Sequence, residues 1–148
     1  MLCNFIGKEY RQERSENLDE YLSTKGVPWL VRKLISGKMD NGYFKLTKDV
    51  EDDYYNIALG TAKGVMNYRF QLNKEIIGKG YDGKNHKIKF YMDNDKFIEE
   101  HEHIEGDRVG ETNDITEWSF VDTFLIAEAA AVNKDGKKVI WRRYFKAV

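Results

Sequence analysis

SENLDEYLSTKGVPWLVRKLI, residues 15–35, is the one stretch of this chain that reads as helix, and its position near the start decides how the remainder is read. Ser15 is a suitable N-cap, with Glu16, Asp19 and Glu20 in a first turn where the helix dipole favours negative charge. Leu18, Tyr21 and Leu22 recur at i, i+3 and i+4 and define one apolar face. Lys25-Gly26 stops this helix, and Pro28 fits the first turn of a second one, where its missing N–H costs nothing. Leu30, Val31, Leu34 and Ile35 give the second helix an apolar stripe beside Arg32 and Lys33. Two short helices joined by a tight glycine turn are expected, in the manner of a lid.

Everything else reads as strand. Residues 5–14 form a polar, half-solvated first candidate, and 36–42 is a linker by its turn residues. Segments 43–46, 54–58, 67–72, 75–77, 86–92, 96–104, 115–120, 124–132 and 138–145 are rich in aromatic and branched residues, which brings the count to about ten. Asp82-Gly83 and Asp135-Gly136 are hairpin turns, and Asp93-Asn94-Asp95 is a third turn. Short antiparallel strands at close spacing, with helix at one end only, predict a mainly all-β sandwich or closed barrel. Periodicity alone does not choose between them.

The composition narrows the functions. With 148 residues, 1–148 is expected to be a single domain large enough to bury a core without staples. A net charge of −1 offers no basic footprint, so no nucleic-acid partner is expected. The single Cys3 forms no intrachain disulfide and, lying at the terminus without a nearby base, is a poor nucleophile. No apolar run is long enough to span a bilayer as helix, and Met1-Leu2-Cys3-Asn4 does not read as a signal peptide. The default expectation is therefore cytoplasmic, or secreted if a signal peptide has been removed. His101-Glu102-His103 sets two imidazoles on one strand face, where Glu99 could join them. With no Cys or further His cluster in support, these are read as satisfied or exposed histidines and no metal is assigned.

The opening block resembles the intracellular lipid-binding proteins, the fatty-acid-binding protein family. That family opens with a Phe-x-Gly strand, then S-E-N-[FL]-D-E-Y-[LM] and G-V-x-[WF]-x-x-R-K. Phe5-Ile6-Gly7, Ser15–Leu22 and Gly26–Lys33 follow this order, with one extra residue before Ser15. Phe70–Ile76, FQLNKEI, is similar to the family's F-K-L-G-x-E-F. Pro28-Trp29 and HKIKF at 86–90 look most like the nematode branch. The resemblance implies a ten-stranded, up-and-down antiparallel β-barrel, a β-clam of the calycin or lipocalin type, with the helix-turn-helix lid over one mouth. It implies non-covalent carriage of a long-chain fatty acid or similar lipid by a monomer without cofactor or catalysis.

The resemblance also carries site residues. The closing WRRYFKA, 141–147, is similar to the family's [TS]-R-x-Y-[EK]-[RK]-[AE], which implies that Arg142 and Tyr144 bind the carboxylate inside the barrel. Residues i and i+2 of a strand share a face, and a guanidinium with a phenol suits a carboxylate. Binary pattern taken alone gives the other parity, with Val139, Trp141 and Phe145 inward and Arg142 and Tyr144 in water. A second cationic position of the family falls on Trp118, so an indole N–H replaces a charge, or the register has slipped. Leu125, Ala127, Ala129 and Ala131 are expected inward, the alanines leaving room for a cavity. Trp29, Leu30, Arg32, Lys33 and Leu34 are expected to form a portal opposite the loops near 59–65 and 81–84, and to contact membranes transiently. A structural or protective protein that keeps the barrel but has altered or lost the pocket is the alternative.

Overall fold

The structure is a computed structural model describing residues 1–148. Ten strands form one sheet, each paired antiparallel with its neighbour: β1 (Glu9–Glu16), β2 (Tyr43–Lys48), β3 (Tyr54–Thr61), β4 (Gly64–Gln71), β5 (Glu75–Lys79), β6 (Asn85–Asp93), β7 (Lys96–His103), β8 (Asp114–Val121), β9 (Phe124–Val132) and β10 (Lys138–Ala147). Successive strands pair throughout except β4 with β5, and β10 returns to pair with β1. The sheet therefore curls into a barrel that lacks a ladder only between β4 and β5. Tyr68 of β4 spans that gap by donating its hydroxyl hydrogen to the Lys79 carbonyl of β5. A slot of about 490 Å³ lined by Met66, Tyr68, Ile76 and Gly78, among others, opens there.

Alternation along the strands builds the interior. Phe44 and Leu46 of β2, Ile57 and Leu59 of β3, Tyr68 and Phe70 of β4, Ile88 and Phe90 of β6 and Phe97 of β7 are all buried. Fully burying one such side chain is worth about 1.5–3 kcal/mol, so this ring-rich cluster is the chief stabiliser of the barrel. Phe5, in a short 3-10 turn over Leu2–Phe5, plugs the base, its ring 5.8 Å from Phe97 and 4.8 Å from Phe120.

Two helices, α1 (Leu18–Thr24) and α2 (Trp29–Ser36), stand at the opposite end. The first begins later than its sequence indicated. Ser15 and Glu16 remain in β1, where they pair with Arg143 and Arg142, because the ladder already satisfies their backbone groups. Asn17 then makes the turn in a left-handed conformation (φ 67°) that Asn tolerates, and its side-chain amide donates to the Ile140 carbonyl. Pro28 likewise precedes α2 as its N-cap, so it lies just outside the first turn. From α1, Tyr21 and Leu22 are buried against Ala129, Val139 and Trp141, with the Tyr21 and Trp141 rings 5.7 Å apart. The space beside Ala129 and Ala131, expected to be open cavity, is thus filled by the lid helix.

The β5–β6 turn is a second tight place. Gly80 lies against the buried ring of His86, so that a Cβ added there would sit 2.1 Å from the imidazole. Gly80→Ala is therefore expected to destabilise the protein by about 1–3 kcal/mol through overpacking, a loss read as a lower urea midpoint at unchanged m.

Candidate functional site

The last strand sets the geometry. Trp141 and Phe145 are buried, and the Arg143 guanidinium carbon lies 4.3 Å from the Trp141 ring centre and 5.6 Å from that of Phe145. All three side chains share the inner face. Arg142 and Tyr144 are on the other one. Arg142 donates from Nε and Nη2 to Glu128 Oε2 at 2.9 and 2.6 Å, across the outer surface, and the Arg14 guanidinium lies over the Tyr144 ring at 3.6 Å. The inward placement expected of Arg142 and Tyr144 is corrected by one residue. The physical cause is the pleat: with Trp141 and Phe145 buried, only position 143 between them can face the interior. In that register the tyrosine position of the closing motif falls on Phe145, which has no hydroxyl.

Arg143 occupies a continuous rung. Phe97 pairs with Trp118, Trp118 with Ala127 and Ala127 with Arg143. The small Ala127 lets the guanidinium lean over the Trp118 ring, 5.5 Å away. Trp118 does face inward, as expected, and donates its indole N–H to Glu99 Oε1 at 3.2 Å. The other Glu99 oxygen meets His101 Nε2 at 2.7 Å. Burial pushes the Glu99 carboxyl up, but the hydrogen bonds from His101 and Trp118 and the charge of Arg143 more than reverse this, so its pKa is lowered. Both Glu99 oxygens are thereby committed. Arg143 Nε and Trp141 Nε1 are shielded and have no hydrogen-bond partner, and burial lowers the guanidinium pKa against the opposing pull of Glu99. Two unsatisfied donors, one on a cation, therefore lie at the inner wall of an aromatic barrel. That arrangement suits an anionic or strongly accepting group.

Above this rung, towards the lid, a second polar layer appears. His86, His101 and His103 are all buried. His86 Nδ1 and His101 Nδ1 are 2.8 Å apart, and His86 Nε2 is 3.0 Å from Asp82 Oδ1. Burial lowers the His86 pKa, opposed by the negative charge of Asp82 beside it. His103 Nε2 donates to Asp114 Oδ2 at 2.7 Å, while Lys25 at the end of α1 and Arg108 of the β7–β8 loop both donate to Asp114 Oδ1. Sequence reading found His101 and His103 but not their contacts with His86, Asp82 and Asp114, which lie on other segments. Arg143 was equally overlooked, although strict alternation outward from Trp141 is a signal that finds it.

The portal residues do not form one set. Arg32 donates to Asp19 Oδ1 at 2.9 Å and to the Val27 carbonyl at 2.8 Å, which ties α2 back to α1. Trp29, Leu30 and Leu34 are each more than half exposed, and α2 buries none of its residues. Lys33 lies over the Trp29 ring at 5.3 Å.

A curled ten-stranded antiparallel sheet with a helical lid is the β-clam architecture. No family model matches the sequence. The chain is 33% identical to fatty acid-binding protein homolog 4 of Caenorhabditis elegans over 97% of its own length and 94% of that protein. It is 32% identical to homolog 1 of the same organism over 90% and 79%. The chain belongs to the fatty acid-binding protein family, as its opening block indicated. Among solved structures, As-p18, an extracellular fatty acid binding protein, superposes with a TM-score of 0.82 at 24% identity, covering 97% of this chain and 96% of that one. A fatty acid-binding protein from Drosophila melanogaster brain gives 0.68 at 27% identity, covering 97% and 99%.

Asp114 anchors the upper layer. Burial pushes its carboxyl up, but Lys25, His103 and Arg108 bring it down from 3.8 to about 2. A lowered folded-state pKa contributes stability that is present above the unfolded value and lost as the pH falls through the folded one. Asp114→Asn should cost about 2 kcal/mol at pH 7 by leaving two cations short of a counter-charge. The gap between variant and wild type should close between about pH 4 and about 2, as followed by urea unfolding across pH.

Proposed function

We propose that the chain is a non-covalent carrier of long-chain fatty acids or similar lipids, held inside the barrel with the head group at Arg143. The supporting observation is the inner-face guanidinium whose Nε, like Trp141 Nε1 beside it, has no hydrogen-bond partner. A carboxylate at that rung supplies acceptors to both donors and offsets a buried positive charge. Trp118 walls the rung, and Glu99 commits its two oxygens to Trp118 and His101, so that it makes no direct hydrogen bond to Arg143. The acyl chain adds about 0.8 kcal/mol per buried methylene, more in sum than the head-group contact. No bond chemistry, cofactor or nucleic-acid partner belongs to this reading, and the carrier acts as a monomer, in the cytoplasm or, if a signal peptide is removed, outside the cell.

The alternative, a structural or protective barrel with an altered pocket, is favoured by the rings that crowd the interior, such as Phe70 and Phe90 at 4.4 Å and Phe44 and Trp118 at 4.6 Å. Displacement of a fluorescent fatty acid from delipidated protein separates the two. Arg143→Ala should weaken oleate binding roughly 10- to 100-fold, the worth of a charge-assisted hydrogen bond. Arg142→Ala, altering only the outer surface, should leave it within about twofold. Saturable binding absent from the wild type would favour the protective reading.

The exposed apolar edge of α2 supports a second part of the proposal, transient docking of the lid on a lipid surface. Trp29, Leu30 and Leu34 project outward and Lys33 adds a positive charge beside them. Leu30→Glu with Leu34→Glu should slow fatty-acid transfer to anionic vesicles several-fold, in a stopped-flow assay, while leaving equilibrium affinity unchanged.

A further inference from the structure

We infer that Asp82, His86 and His103 form a binding site for a borderline divalent transition metal, Zn²⁺ being the type ion, at the mouth of the barrel. One ligand atom from each lies within 4.8 Å of the others. A tetrahedral zinc with bonds of about 2.0–2.1 Å spaces its ligand atoms about 3.3 Å apart. His86 Nε2 and Asp82 Oδ1 already stand at 3.0 Å, and His103 Nδ1 is 4.0 Å from Asp82 Oδ2. Asp82 is in the β5–β6 turn and is partly exposed, so its side chain is free to move towards His103, while the two imidazoles, on the paired strands β6 and β7, are held on one side of the site.

The hydrogen bonding around the imidazoles selects the metal. Asp114 accepts from His103 Nε2, which leaves Nδ1 as the bare nitrogen; it is shielded, has no partner, and faces Asp82. Glu99 accepts from His101 Nε2, so His101 Nδ1 accepts from His86 Nδ1–H. His86 is then left with a bare Nε2 opposite a carboxylate oxygen. A lone proton would answer that one clash and leave His103 Nδ1 unsatisfied, whereas a metal ion serves both nitrogens and the carboxylate together. Carboxylates that hold the far nitrogen of ligating imidazoles are the usual outer support of zinc sites, and here Asp114 does this directly and Glu99 through His101. Three protein ligands leave a fourth position for water or an incoming group. The ion would tie the β5–β6 turn to the β6–β7 hairpin, next to Lys25 of the lid, which shares Asp114.

The test uses tag-free, full-length protein treated with chelator and dialysed. Zn²⁺ is titrated calorimetrically and Co²⁺ by visible absorption, beside Asp82→Asn, His86→Gln and, as a control on the outer face of the same hairpin, Glu102→Gln. One equivalent of Zn²⁺, intense visible Co²⁺ bands of a low-symmetry site, and affinity at least tenfold weaker in Asp82→Asn and His86→Gln but unchanged in Glu102→Gln are expected. Asp82→Asn preserves all three imidazoles, so its reading stands even if His86→Gln unfolds. The inference is overturned if wild type takes up no Zn²⁺, or if Asp82→Asn binds within about twofold of wild type, which would mark a surface site. Fatty-acid binding by the same samples is scored separately, so its failure and failure of the metal site remain distinct.

Discussion

Two-residue alternation across the pleat is the constraint from which the interior of this barrel follows. A strand cannot present both Arg142 and Arg143 to one face, and burial of Trp141 and Phe145 decides which is inside. The same rule, rung by rung, brings Phe97, Trp118, Ala127 and Arg143 into a line that no local sequence window contains. Ala127 matters through what it lacks, since a larger side chain between Trp118 and Arg143 would hold the guanidinium away from the indole. One small residue therefore helps to shape the polar rung.

Placing a cation, a carboxylate and three imidazoles inside a barrel is costly, and the structure offsets that cost by connectivity. Glu99 is satisfied by Trp118 and His101; His101 meets His86; His86 meets Asp82; and His103 is held by Asp114, which also receives Lys25 and Arg108. The buried groups without a partner then stand out. Arg143 Nε and Trp141 Nε1 are donors in the middle of the barrel, while His103 Nδ1 is a bare acceptor near its mouth. Donors face the space suited to an anion, and the bare nitrogen faces a carboxylate across the place suited to a cation.

The two helices of the lid divide the labour. Tyr21 and Leu22 of α1 are packed against β9 and β10, so α1 belongs to the core. The second helix is fastened by Arg32, through Asp19 and the Val27 carbonyl, and by Ile35, half-buried against the cluster of Tyr21 and Leu22, but has no fully buried residue. Few buried apolar contacts mean a low cost for local opening, which is the property an access route for a lipid needs.

The sequence by itself determined the element list, the ten strands, the two helices and the turns at Asp82-Gly83 and Asp135-Gly136, because those depend on local periodicity and turn chemistry. It determined the family as well, since the opening block is a contiguous pattern. Closing the sheet was legible only through that resemblance. The face of Arg143, the filling of the alanine wall by Tyr21 and Leu22, and the meeting of His86 with Asp82, His101 and His103 were decided by tertiary structure. Each of these depends on register between strands and on the seating of a helix, and such long-range pairings are set by the summed burial of the whole barrel, which no short segment records.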